Sequence, residues 1–334
     1  MACAGPAEVN HGYYEIRKAG TKGFGAFALK HIPSGTRVLV DTALFRVEKE
    51  ESQISDADIL RQIQALKPQV RAQFDALPSS QTTLYTTKEI TAVRRFNLNN
   101  FQVRGRRGLS CFAHASRLNH SCLPNCSMTS IQTGKKQCRT IRDVQPDEEL
   151  TFAYTELLQY MTIAERRDDL RSQFSSGRCE CNLCQLPGKQ QEISEMRRGL
   201  MRHLHFIVYG QDLSPMPQTI PSEYRGPQFM SKSNAAELFV RLAEAEGVEG
   251  AIVIGMYCRG CAEELDFRTK KRATVMPPAV LVKVVGWMQK VQAMKAKLMG
   301  PEYARKEDDE HFDRLVAVVN RLKAAHGRMD AMWA

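Results

Sequence analysis

Three cysteines crowd into Cys179-x-Cys181-x-x-Cys184, and no other feature restricts so firmly what this 334-residue chain can fold into. Thiolates at this spacing suit a single tetrahedral zinc ion, which takes four ligands. The fourth must come from far along the chain. Cys122 is the foremost candidate, because it stands beside Asn119-His120 and a shared ion would clamp the cysteine segment over that pair; Cys126 and Cys138 compete for the role. Four protein ligands leave no open coordination position, so such a zinc is structural. Cys258-x-x-Cys261 lacks a second pair to close a metal site and the βαβ surroundings of a redox pair, so ordinary thiols are expected there.

Composition narrows the setting. The segment 1–20 has no apolar run behind a basic head, so no signal peptide is expected. The apolar stretch 279–288 is interrupted by Lys283 and too short to cross a bilayer as a helix, so no membrane span is expected. Ten cysteines without a secretion signal point to a reducing compartment, nucleus or cytoplasm. The net charge of +10 comes from Lys and Arg residues interspersed with acids. Direct nucleic-acid binding is therefore not expected, and a soluble basic surface is.

Residues 12–47 read as short strands broken by Gly20, Gly23, Gly25 and the turn Pro33-Ser34-Gly35. Helical spacing takes over in 48–108, as in Ile59, Leu60, Ile63 and Leu66, which marks a helical insertion. Strands resume in 109–156, and 157–187 carries a short amphipathic helix followed by the cysteine cluster. From 188 to 334 the pattern is that of an α-helical domain, with helices over 235–246, 279–298 and 311–325 and a proline-rich loop over 211–228. No fixed-period repeat is present. The fold class expected is α+β.

Three further motifs appear in order: Lys22-Gly23-Phe24-Gly25-Ala26-Phe27-Ala28, then Ser116-Arg117-Leu118-Asn119-His120-Ser121-Cys122-Leu123-Pro124-Asn125, then Glu148-Glu149-Leu150-Thr151-Phe152-Ala153-Tyr154. Asn99-Asn100-Phe101 precedes the second, and the cysteine cluster closes the series. With these residues in this order, the chain resembles the SET-domain protein lysine methyltransferases over about residues 12–186, especially their SET-MYND branch. It departs from that branch in two places. The insertion contains no cysteine, so the MYND zinc finger is absent, and Gly177 stands where an aromatic commonly packs on adenine, a place Phe174 would take over.

The resemblance implies a mostly β SET fold with a pseudoknot, a post-SET zinc site held by Cys122, Cys179, Cys181 and Cys184, and S-adenosylmethionine as methyl donor. It implies a cofactor pocket formed by Lys22, Gly23, Phe24, Gly25, Asn99, Ser116, Asn119, His120, Tyr154 and Phe174. Tyr154 would sit at the transfer centre, and Phe152, lacking a hydroxyl, would line the lysine channel and leave room for products beyond monomethyl-lysine. The partner implied is a protein presenting a lysine, a histone in chromatin or a non-histone protein. Helices after residue 188 would form one wall of the substrate cleft. The competing readings are a SET-fold scaffold without catalysis and a chromatin-binding protein.

The residue types suit methyl transfer. In-line displacement at a sulfonium carbon demands alignment and exclusion of water more than acid or base chemistry. His120 titrates near neutrality when unperturbed, but a buried, hydrogen-bonded histidine is the more ordinary reading than a general base.

Overall fold

The computed structural model describes residues 12–79, 87–102, 108–132, 134–171, 178–213, 230–270 and 277–301, with residues 317, 321 and 324. The elements are β1 (Tyr14–Lys18), β2 (Phe24–Ala28), β3 (Arg37–Val47), α1 (Asp56–Gln64), α2 (Pro68–Asp75), α3 (Lys88–Asn99), β4 (Asn100–Gln102), β5 (Leu109–Phe112), β6 (Asn119–His120), β7 (Cys126–Gln132), β8 (Lys135–Thr140), β9 (Glu149–Phe152), α4 (Ile163–Asp169), α5 (Gly188–Tyr209), α6 (Lys232–Ala245), α7 (Ala251–Lys270) and α8 (Pro278–Met299). The fold is α+β. Two compact units divide the chain: Met1–Tyr154 with Ala164–Gln185, and Thr155–Ile163 with Leu186–Ala334.

The first unit holds two sheets, ordered β1-β2-β9-β6 and β4-β5-β3-β8-β7. Strand β3 explains the second. Its Val38, Leu39 and Val40 are all buried in succession, as a strand with neighbours on both edges and covered faces requires. The chain enters β3 through Pro33-Ser34-Gly35, where Gly35 takes φ +82°, a left-handed conformation that glycine adopts without strain. Ala26, Ile32, Val38, Leu39, Phe112, Leu118, Leu150 and Phe152 belong to the core beneath the sheets.

Between β3 and β5 the cysteine-free insertion forms α1, α2, α3 and β4. Ser55 starts α1 with a capping box: its hydroxyl accepts the Asp58 N–H at 3.3 Å, and the Asp58 carboxylate accepts the Ser55 N–H at 3.1 Å. The three helices fold onto β3, where the Phe45 ring meets Phe74 edge-on and stacks with Phe96, each at 5.4 Å between centroids. Burial of such rings stabilises the insertion by roughly 2–3 kcal/mol apiece.

In the second unit α5 packs on α6, α6 on α7 and α7 on α8. Helix α6 buries Ala235, Ala236, Phe239, Val240 and Ala243, the stripe its helical spacing predicts. Gly260 permits the approach of α8 to α7, since a Cβ there would fall 2.4 Å from Trp287 Cζ3. The fully buried Arg198 is matched by Glu246 at 3.1 Å, a pair whose breaking would strand a charge. Residues 157–163, read from sequence with the zinc-binding segment, and 155–156, read with the strands before it, fold with these helices; Glu156 accepts the Ile252 N–H at 2.8 Å in the first turn of α7. Much of the expected loop over 211–228 and of the helix over 311–325 lies outside the described residues. Among the described residues no helix is long and apolar enough to cross a membrane.

Candidate active site and metal centre

Two residues of β6 organise the site. Asn119 and His120 run parallel to β9, opposite Thr151 and Phe152, and the Ser121 N–H continues the ladder to the Phe152 carbonyl at 3.1 Å. A parallel pair cannot be closed by a hairpin, and here the connection carries β7 and β8 out and back. Two side chains hold it in register. Asp41 of β3 accepts the N–H groups of His114 and Ala115, both at 2.7 Å, which fixes the turn leading into β6. Asn125 donates to the Glu149 carbonyl at 2.8 Å and accepts the Thr151 N–H at 2.8 Å, which stitches the end of its motif to β9.

The same turn delivers Cys122 to the cysteine cluster. The sulfurs of Cys122, Cys179, Cys181 and Cys184 all lie within 4.8 Å of one another, with Cys122 Sγ 3.9 Å from Cys179 Sγ and 3.7 Å from Cys184 Sγ. A tetrahedral zinc with bonds of about 2.3 Å sets its sulfurs about 3.8 Å apart, so the donor set fits zinc in number, type and spacing. Cys126 and Cys138 lie instead in the core beneath the sheets.

His120 links this centre to Tyr154. Its Nδ1 accepts the Tyr154 backbone N–H at 3.2 Å, which leaves the ring proton on Nε2, 3.1 Å from Cys122 Sγ. Burial lowers the imidazole to about 4, so the ring is neutral at pH 7. With both nitrogens engaged it offers no general base.

Around Asn119 the polar groups turn their donors inward. Its Nδ2 donates to the Phe24 carbonyl at 2.9 Å and to Glu149 Oε1 at 2.7 Å, so only Oδ1 remains for a ligand. Asn99 spends its Nδ2 on the carbonyls of Pro78 at 2.8 Å and Arg95 at 2.7 Å, and the Ser116 hydroxyl donates to the Phe112 carbonyl at 2.7 Å. Each of these side chains spends its donor within the protein. The Lys22 ammonium rests on Glu149 Oε2. Gly23 has φ +81° and ends the turn after Lys22, and Phe24 is exposed beside it. Gly25 answers a steric demand, because a Cβ there would fall 2.3 Å from Glu149 Oε1 and 2.9 Å from Asn119 Nδ2. Phe174 and Gly177 lie outside the described residues.

The Tyr154 ring lies 5.0 Å from His120 and 5.2 Å from Phe152, which in turn stacks on Phe101 at 5.8 Å. Phe152 is buried, whereas Tyr154 keeps 42% of its surface exposed. Crowding by protein atoms, and then the charge of Glu149, pushes the phenol up to about 12, so the hydroxyl stays protonated at pH 7.

This arrangement has counterparts among known proteins. Residues 23–155 match the family model of the SET domain. The chain carries a SET domain. Over 86 residues it is 38% identical to the histone-lysine N-methyltransferase SMYD3 of Homo sapiens, a stretch covering 26% of this chain and 19% of that one. Over 187 residues it is 26% identical to the histone-lysine N-methyltransferase set5 of Schizosaccharomyces pombe, covering 55% of this chain and 54% of the relative. A third relative, the N-lysine methyltransferase SMYD2 of Homo sapiens, is 31% identical over 106 residues, covering 30% and 24%. The chain thus spans about half the length of one relative and about a quarter or less of the others.

The motifs did not reveal Asp41, Asn125 or Glu149 as parts of the site. Asn125 and Glu149 stood within quoted motifs without a role, and their neighbours in space gave them one. Asp41, in the middle of an apolar strand, was a detectable signal, since a carboxylate there needs partners.

Proposed function

We propose that the SET domain transfers methyl groups to the side-chain amine of a lysine in a protein, a histone or a non-histone substrate, using S-adenosylmethionine and a structural zinc. The observation that carries this reading is the parallel pairing of β6 with β9, which gathers Asn119, His120 and Tyr154 beside the four-cysteine cluster. The relatives named as lysine methyltransferases support it. Nucleus and cytoplasm are both compatible settings.

When bound, S-adenosylmethionine supplies a methyl group on a sulfonium. The chain's own residues supply the rest. The oxygens of Asn119, Asn99 and Ser116 accept from an ammonium group, and Lys22 faces a carboxylate. Tyr154, protonated and water-accessible, orients the incoming amine with its hydroxyl oxygen. Phe152 and Phe101 form an apolar wall. Such a wall favours the neutral amine, whose presentation at pH 7 otherwise costs about 4–5 kcal/mol for a lysine of ordinary pKa.

Calorimetric titration with S-adenosylmethionine, for the wild type and Asn119→Ala, tests the pocket; labelled-methyl transfer to core histones and other lysine-rich proteins tests the activity. Binding that disappears in the variant, together with labelled protein, supports the enzyme. Zinc-loaded wild type that binds no S-adenosylmethionine would leave a non-catalytic SET scaffold as the better reading.

A further inference from the structure

Glu149 stands at the meeting point of three chain segments. Its Oε1 takes one amide hydrogen of Asn119 at 2.7 Å and its Oε2 takes the ammonium of Lys22, and Oε1 and the Asn119 amide nitrogen sit where a side chain at position 25 would collide. The Glu149 side chain is only 14% exposed and that of Lys22 26%, so the carboxylate is partly withdrawn from water and its interactions are correspondingly strong. The second amide hydrogen of Asn119 goes to the Phe24 carbonyl at 2.9 Å.

An asparagine amide is symmetric in shape and opposite in polarity at its two ends. Nothing in the volume of Asn119 decides which end faces a ligand; its hydrogen-bond partners do. The Phe24 carbonyl and the Glu149 carboxylate are both acceptors, so together they demand the NH2 end and turn Oδ1 outward.

We infer that Glu149 is a positioning residue that sets the polarity of the cofactor pocket by locking the Asn119 amide with its oxygen toward the α-ammonium of the ligand. This rests on the proposed cofactor reading and deepens it. Without the carboxylate only one partner constrains the amide, and rotation by half a turn would aim N–H groups at an ammonium. Glutamine at 149 has a single carbonyl for two donors, the Asn119 amide and the Lys22 ammonium, so it weakens the lock without removing every acceptor.

The test compares two uncharged-sulfur ligands by calorimetry: S-adenosylhomocysteine, which carries the α-ammonium, and 5′-methylthioadenosine, which lacks it. Glu149→Ala is expected to weaken S-adenosylhomocysteine about tenfold or more and 5′-methylthioadenosine less than about twofold, as loss of one charge-assisted positioning contact predicts. Glu149→Gln should weaken S-adenosylhomocysteine less than Glu149→Ala does and leave 5′-methylthioadenosine within about twofold of wild type. Melting curves and zinc content establish that each variant is folded, and Glu149→Met, which keeps the volume, replaces the alanine variant should it fail to fold. Equal weakening of both ligands, or no weakening of either, overturns the inference. Wild type that binds neither ligand sinks the cofactor reading and this inference with it, whereas wild-type binding with an indifferent Glu149→Ala sinks the inference alone.

Discussion

His120 Nε2 lies 3.1 Å from Cys122 Sγ. Through that contact, and through the Tyr154 N–H bonded to Nδ1, the cysteine cluster reaches the residue proposed to orient the substrate amine. The contacts of one cysteine of the cluster thereby also set the backbone of the candidate site.

Metal content follows first. Purified protein is expected to carry about one zinc per chain, and Cys122→Ser or a strong chelator to remove it. Metal loss leaves four thiols packed within 4.8 Å without the cation that holds them, so the melting temperature should fall by at least ~5 °C. Metal analysis beside thermal melting checks this; unchanged melting after complete chelation would show that the cluster holds no stabilising ion.

Tyr154→Phe removes the hydroxyl and keeps the ring against His120 and Phe152. Transfer should drop about 100-fold, the effect of deleting one well-placed polar group from a transition state. Cofactor affinity should change less than about twofold, since the loss falls on the amine rather than the pocket. A variant as active as wild type in a labelled-methyl assay would remove Tyr154 from the transfer centre.

Gly25→Ala should abolish cofactor binding while destabilising the fold by about 1–3 kcal/mol, the ordinary cost of overpacking. The added Cβ would fall 2.3 Å from Glu149 Oε1, which must swing out and release Asn119. Denaturant melts and calorimetry together decide it; normal binding would mean that the carboxylate has room to spare.

Lys136 gives a pH dependence of stability. It is buried beside the Phe101 ring at 5.4 Å, and burial lowers its ammonium from the ordinary 10.5 to about 8. Between those values the unfolded chain holds a proton that the folded chain has released, so this group makes stability rise with pH through that interval. The full difference is ~3 kcal/mol at most. Lys136→Met should be more stable than wild type at about pH 7 and lose most of that advantage by about pH 10, as read from urea denaturation at both values. A constant difference across the range would contradict the shift.

The fold class was legible because its signals are local. Helical spacing in Ile59 and Ile63, the turn at Gly35 and the apolar run of β3 each follow from a few consecutive residues. The site was legible only as an inventory. Asn119, His120 and Tyr154 were named by their motifs, whereas the direction of the Asn119 amide and the engagement of both His120 nitrogens depend on partners distant in sequence.

By itself the sequence determined that three cysteines lie together, that a helical insertion without cysteine follows the first strands and that a helical region follows the cluster. Only the tertiary structure decided that Cys122 rather than Cys126 or Cys138 completes the cluster, that residues 155–163 fold with the helices and that Glu149 joins Lys22 to Asn119. The reason is physical: the cysteine set and the hydrogen-bond polarity are fixed by distances of 2.7–3.9 Å between residues far apart in the chain, and the parallel register of β6 on β9 helps to bring those residues together.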